Sequence, residues 1–287
     1  MSPLIFFAWA ASVAYGLEAI MGKLASRHLM RDPLLFNFYW ALFILILTSP
    51  IAFWYGVSIP THWSALLAAS IFYALGGIFY ILALYRLDAS VIAPLFSFRT
   101  AIAVLFGALI LGEVLTGFQY AMVAVIFIFG MFVGIDERFS IRSFFTPGVG
   151  ILLLSVFALV FMGVFIKISV LEIGFWNTTF WMALLGQMWL LLTTPFFKAK
   201  HRELTGKQFG VVFLIAAIGT VATIAANAAY AINVSIASTI ISVPLSMFMA
   251  VLLAYFSPRL LEKHTAKVYA IRLFSAAIMF VAALQLA

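Results

Sequence analysis

The sequence predicts an all-α membrane protein of ten transmembrane helices, arranged as two inverted five-helix repeats. Three observations carry that expectation. Of the residues, 66% are hydrophobic and only 9% charged, whereas soluble domains are about half apolar and a quarter charged. Apolar runs of about 20 residues, the length that crosses a bilayer, recur along the chain. The second half also echoes the first at a fixed offset.

Breaks at proline, charge and glycine clusters place the spans at 3–26, 34–56, 62–85, 89–111, 117–135, 148–170, 174–197, 207–230, 235–257 and 265–286. The first is apolar from Pro3, but its first basic residue is Lys23. It lacks the basic start of a signal peptide and is read as a retained span. The connections, among them "RHLMRDP", "RLDA", "DERFSIRSFFTP" and "KAKHRELTGK", leave no room for a soluble domain.

The echo runs at an offset of 144 to 145 residues. Lys23 falls on Lys167, "TSP" (Thr48 to Pro50) on "TTP" (Thr193 to Pro195), and "LYRLDAS" (Leu84 to Ser90) on "AYAINVS" (Ala229 to Ser235). Two units follow, 1–140 and 146–287. Five helices per unit is an odd number, so the units must point opposite ways across the membrane. Charge tests this independently. Loops 1–2, 3–4, 5–6, 7–8 and 9–10 hold twelve of the sixteen Lys and Arg residues, and the alternate loops hold none. Equivalent loops of the two units thus carry opposite biases, and the positive-inside rule puts both termini outside.

Composition also excludes. Without cysteine there are no disulfides or thiolate metal sites. His28, His62, His201 and His264 lie in or beside connections, so no intramembrane histidine metal site is expected. The net charge of +7 sits in loops, where it reads as an orientation signal rather than a nucleic-acid surface. Phosphate-binding glycine loops and Ser/His or His/Asp constellations within spans are missing, so neither an enzyme nor a cofactor is expected.

The charges inside the spans are the candidate site. Glu18 lies roughly 12 Å into its helix at about 1.5 Å per residue. A carboxylate there must face protein or water, as a proton-coupling or amine-binding group or as a structural hydrogen-bond partner. Tyr15, Glu18 and Gly22 share one helix face, whereas Lys23 lies about 140° round from Glu18. Arg99, roughly 15 Å deep, needs an internal partner or an anionic ligand; a permanent Arg99–Glu18 bridge is the structural alternative. Their counterparts in the second unit are Pro244 and Met162, so both charges belong to one half. Lys23 and Lys167 recur near helix ends, where long side chains can reach the interface, and read as structural or gating. Gln187 is either a pocket hydrogen-bonder or interhelical glue, and Tyr39, Tyr73, Tyr80 and Trp181 line the cavity or simply pack. Glu113 reads as a helix cap. Gly76, Gly77, Gly107, Gly130, Gly163 and Gly219 permit close helix contact or bending.

The stretch Leu84 to Val133, with Leu111, Gly112, Glu113, Thr116 and Gln119, resembles the EamA-type transporters of the drug/metabolite transporter superfamily. Tyr15, Gly16, Glu18 and Lys23 match the pattern of that family's first helix. In the second unit "SPRLLEKHT" replaces the Gly-Glu turn and Glu262 falls four residues late. The family's fourth-helix proline falls near Arg99–Thr100 here, and its second-helix arginine near Tyr39. The resemblance implies a secondary transporter in a bacterial inner membrane, exporting a small polar metabolite such as an amino acid by alternating access. Protons are the candidate coupling partner, and a monomer is compatible with these features. The rivals are a flippase for a lipid-linked sugar and a non-transporting membrane scaffold or sensor.

Overall fold

The computed structural model describes residues 2–87, 92, 95–133, 146–197, 205–245 and 266–286, with the side chains of 266–269 and 272 outside that description. Among the described residues the chain is helical and without strands, and ten helices follow in order. They are α1 (Pro3–His28), α2 (Pro33–Trp54), α3 (Ser64–Arg86), α4 (Phe98–Leu111), α5 (Gly117–Val133), α6 (Pro147–Ile173), α7 (Phe175–Leu190), α8 (Gly206–Ile232), α9 (Val234–Ile241) and α10 (Ala266–Leu284). A 3₁₀ turn and a short helical turn extend α7 to Phe197. Among the described residues six stretches are long and apolar enough to cross a membrane: α1, α2, α3, α6, α8, and α7 with its extension.

Local sequence sets the helix starts. Pro33 and Pro147 occupy first-turn positions, where a missing N–H costs nothing. Asp32 accepts from the Leu35 amide at 3.0 Å and Asn233 from the Ile236 amide at 2.8 Å. Thr205 and Gln208 form a reciprocal capping box at α8. Thr116 and Gln119 do the same at α5, with the Thr116 amide donating to Gln119 Oε1 at 2.9 Å and the Gln119 amide to Thr116 Oγ1 at 3.2 Å.

Two expected spans differ from the observed helices. Within the fourth, expected over 89–111, a turn at Ser97 separates the helical Leu95 and Phe96 from α4, which starts at Phe98; Pro94 in the sequence has no N–H for the helical ladder. Within the ninth, expected over 235–257, α9 ends at Ile241 and a turn follows at Ser242, because Pro244 disfavours helical backbone at Val243. The breaks at Ser97 and Ser242 stand 145 positions apart, the repeat offset. Ser242 Oγ is hydrogen-bonded to Thr100 Oγ1 at 2.7 Å where α9 meets α4. The rest of the ninth span and the start of the fourth lie outside the described residues, as do Arg138, Arg142, Lys198, Lys200, Arg202, His201, Arg259, Glu262, Lys263 and His264.

The packing interleaves the two halves. α3 lies along α6 and α7, and α8 along α1 and α2; α9 meets α1, and α4 meets α6. The pairs α2–α7, α4–α9 and α5–α10 also touch. Large apolar side chains such as Leu109, Leu171 and Phe196 are exposed, while the mostly apolar interior also buries polar groups such as Ser70, Asn37 and Asn227. Such an apolar outer surface suits hydrocarbon as the surrounding medium.

Candidate functional site

The interior polar groups gather where α1, α2, α4 and α8 face one another. Glu18 on α1 is 7% exposed, and its carboxylate accepts from the indole N–H of Trp40 on α2. The bond forms because α8 presents Gly219 there. A Cβ on Gly219 would overlap Glu18 Oε1 and lie 3.1 Å from Trp40 Nε1. One turn earlier on α1, Tyr15 has its hydroxyl beside Thr223 of α8.

Arg99, in the first turn of α4, is 3% exposed. It donates from Nη2 to the Tyr230 hydroxyl of α8 and lies 5.5 Å from that ring's centroid, while its Nε makes no hydrogen bond. No ion pair joins Arg99 to Glu18 among the described residues: each charge is held by a neutral aromatic donor or acceptor instead. The expected alternative of a permanent bridge is therefore not what the structure contains. Neither charge is neutralised by the other, an arrangement that costs free energy in a low-dielectric interior unless a third group completes it.

Of the remaining candidates, Tyr73 and Tyr80 lie on α3, which packs against α1, and Tyr80 packs edge-on against Phe96 at 5.8 Å. Gln187 on α7 is buried with neither amide atom hydrogen-bonded. Tyr39 belongs elsewhere, in an aromatic cluster with Phe43 and Phe209, the latter at 4.9 Å. Trp181 spans to the 2–3 connection, donating to the Ser58 carbonyl at 2.8 Å. Gly22 faces Leu84 and Phe36 rather than the Glu18 cluster.

Both lysines bind the last carbonyls of a neighbouring helix. Lys23, 5% exposed, turns inward and donates to the carbonyls of Leu84 at 2.8 Å and Leu87 at 2.7 Å, at the end of α3. Lys167 donates to the Ile232 carbonyl at 3.0 Å, at the end of α8. Helix C-terminal carbonyls lack intrahelical partners and carry partial negative charge, so they attract an ammonium more strongly than lipid headgroups at a distance. Lys167 also donates to Glu113 Oε1 at 2.8 Å.

Glu113 is placed by Gly112, whose φ of 65° ends α4 and turns the next residue inward. Rather than capping its own turn, its carboxylate caps α9. It accepts from the amides of Val234 at 2.7 Å and Ser235 at 2.9 Å, and from the Ser235 hydroxyl at 2.6 Å. Burial raises the Glu113 pKa, but Lys167, the Ser235 hydroxyl and the two amides outweigh it and hold the group below the usual carboxylate range.

Sequence reasoning missed Trp40 and Tyr230. Tyr230 had a signal, because it falls on Tyr85 within the match of "LYRLDAS" to "AYAINVS". The two serve different ends, Tyr85 donating to the Met30 carbonyl at 2.6 Å and Tyr230 meeting Arg99. Trp40 had none, being one of 48 aromatic residues, most of them packing groups.

A bundle of long apolar helices with an apolar outer surface and buried, mutually unpaired charges defines the class: a multi-pass integral membrane protein. The model of the EamA-like transporter family matches residues 2–135. That match covers just under half of the chain, whose first half is thus similar to the EamA-like transporter family. A solved crystal structure is similar over 100% of this chain and 99% of its own, with a TM-score of 0.73 at 14% identity. At that identity the likeness establishes the fold alone. No curated protein matches the chain.

Proposed function

We propose that the chain is a secondary transporter that moves a small polar metabolite, such as an amino acid, outward across a bacterial inner membrane. One observation carries the reading. Glu18 and Arg99 are buried on different helices and held by Trp40 and Tyr230, not by each other. A substrate bearing both an amine and a carboxylate, or an anion with a proton on Glu18, completes the two charges. No substrate of a single neutral type does so.

Two inverted repeats, 1–140 and 146–287, make alternating access the mechanism. The packing supports this. Exchanging α1 with α6, α2 with α7, α3 with α8, α4 with α9 and α5 with α10 carries α3–α6 onto α8–α1, α3–α7 onto α8–α2, and α1–α9 onto α6–α4. The same exchange carries the Lys23–Leu87 bond onto Lys167–Ile232. The scaffold is thus near-symmetric, while Glu18 and Arg99 belong to one half. Rocking between equivalent arrangements would expose a single asymmetric site to each side in turn.

Protons are the proposed driving ion, with Glu18 as carrier. In proteoliposomes with an imposed pH gradient, Glu18→Gln should abolish pH-driven flux while the melting curve stays that of a folded protein. Unchanged flux and pH dependence would remove Glu18 from coupling. A flippase for a lipid-linked sugar is the second reading, favoured by an apolar groove between α1 and α8. It is lined by Phe6, Trp9, Val13, Leu17, Ile218 and Val221, and it runs beside the Glu18–Gly219 contact. Movement of a fluorescent lipid-linked sugar between leaflets, in place of amino-acid flux, would select that reading.

A further inference from the structure

The seam between α3 and α7 contains two kinds of buried polar group. Trp189 donates to Ser70 Oγ at 3.0 Å, which is interhelical glue in the ordinary sense. Two turns or less away, Gln187 and Tyr73 behave differently. Gln187 is 6% exposed, yet neither its Nε2 nor its Oε1 makes a hydrogen bond, and the buried Tyr73 hydroxyl makes none either. The Tyr73 ring lies against the α7 backbone at Gly186, the residue before Gln187, where a Cβ would stand 3.0 Å from Tyr73 Cε1. α3, which carries Tyr73, also packs against α1, which carries Glu18. Buried amides and hydroxyls nearly always find partners, and forgoing them is costly in a membrane interior.

We infer that Gln187 and Tyr73 form a specificity subsite that reads a neutral donor–acceptor edge, a carboxamide or lactam, on the far end of a substrate held by Glu18 and Arg99. The inference rests on the functional reading above. A glutamine amide offers a donor and an acceptor side by side, so its complement must offer an acceptor and a donor side by side. A tyrosine hydroxyl can give or take the remaining bond. An alkyl end leaves all three groups unpaired, and a carboxylate end meets Gln187 Oε1 without a proton to offer. Sites built to hydrogen-bond a polar group reject analogues that lack it far more strongly than apolar pockets discriminate size.

Binding of L-glutamine and L-norleucine to the full chain in lipid nanodiscs separates the charged site from the subsite, since both probes carry the same zwitterionic head. Wild type should bind L-glutamine at least tenfold more tightly than L-norleucine. Gln187→Leu should bring L-glutamine down to the norleucine level with norleucine unchanged, which also reports that the variant is folded. Tyr73→Phe, which keeps the ring against Gly186, should lower the preference in part. Equal binding of the two probes by wild type, with both lost in Arg99→Ala, overturns the subsite and leaves the charged site standing. A glutamine preference unaltered by either substitution also overturns it. Binding of neither probe by wild type overturns this inference together with the reading it rests on.

Discussion

The Lys167 ammonium donates to Glu113 Oε1 at 2.8 Å, and the same carboxylate oxygen accepts from the first amide of α9, that of Val234, at 2.7 Å. One acid thus ties the α4–α5 turn to the end of α6 and the α8–α9 junction. Glu113 is buried but Lys167 is partly exposed, so removing the acid costs less than breaking a fully buried pair, about 3–5 kcal/mol, while the amides of α9 lose their acceptor. Glu113→Ala should therefore lower the melting temperature in detergent markedly, and Glu113→Gln, which retains an acceptor for the amides, should lower it less. Gly107→Ala should also destabilise, by about 1–3 kcal/mol for overpacking, since its Cβ would stand 2.8 Å from Glu113 Oε2.

The same contact has a pH signature. The folded pKa of Glu113 lies below the ordinary 4.5, so its contribution is fully present above that value. It is lost as pH falls through the depressed folded value. Melting curves between pH 7 and pH 3 should fall more steeply for wild type than for Glu113→Gln in the acid range below 4.5. Parallel curves would mean that Glu113 does not carry this charge.

Gly219 tests the other cluster without touching a charge. Gly219→Ala places a methyl where Glu18 Oε1 lies, and displaces the carboxylate from Trp40. Flux driven by a pH gradient should drop at least tenfold, with the melting temperature lowered only by an overpacking cost of about 1–3 kcal/mol that leaves the protein folded. Wild-type flux would show that the Glu18–Trp40 geometry is irrelevant to transport.

Topology can be tested cleanly because the chain has no cysteine. His62 and Lys207 are equivalent positions at the 145-residue offset and both are exposed. Single cysteines there should react with an impermeant maleimide from opposite faces of the membrane, and same-side labelling contradicts the inversion. A C-terminal fluorescent fusion should stay dark, because the basic loops put both termini outside.

The helices were legible because a lipid-facing surface demands long apolar runs whatever lies inside. Proline and polar caps such as Asp32, Asn233 and Thr205 mark their starts. The interruptions near Ser97 and Ser242 were not read, although Pro94 and Pro244 stand beside them in the sequence. Glu18 and Arg99 stood out by being expensive where they are. Their partners did not, because an indole or a phenol is invisible among so many packing aromatics until the fold brings it within reach. Lys23 and Lys167 were legible as a pair through the repeat. Their inward turn was not, since it depends on where α3 and α8 expose their last carbonyls.

The central claim is that the buried charges form the transport site, and Arg99 tests it most directly. Counterflow of radiolabelled zwitterionic amino acids should be measured in proteoliposomes holding wild type, Arg99→Lys or Arg99→Ala at equal protein density. The account predicts at least a tenfold loss for Arg99→Ala and partial retention for Arg99→Lys, with melting temperatures showing both folded. Equal uptake by wild type and Arg99→Ala would contradict it.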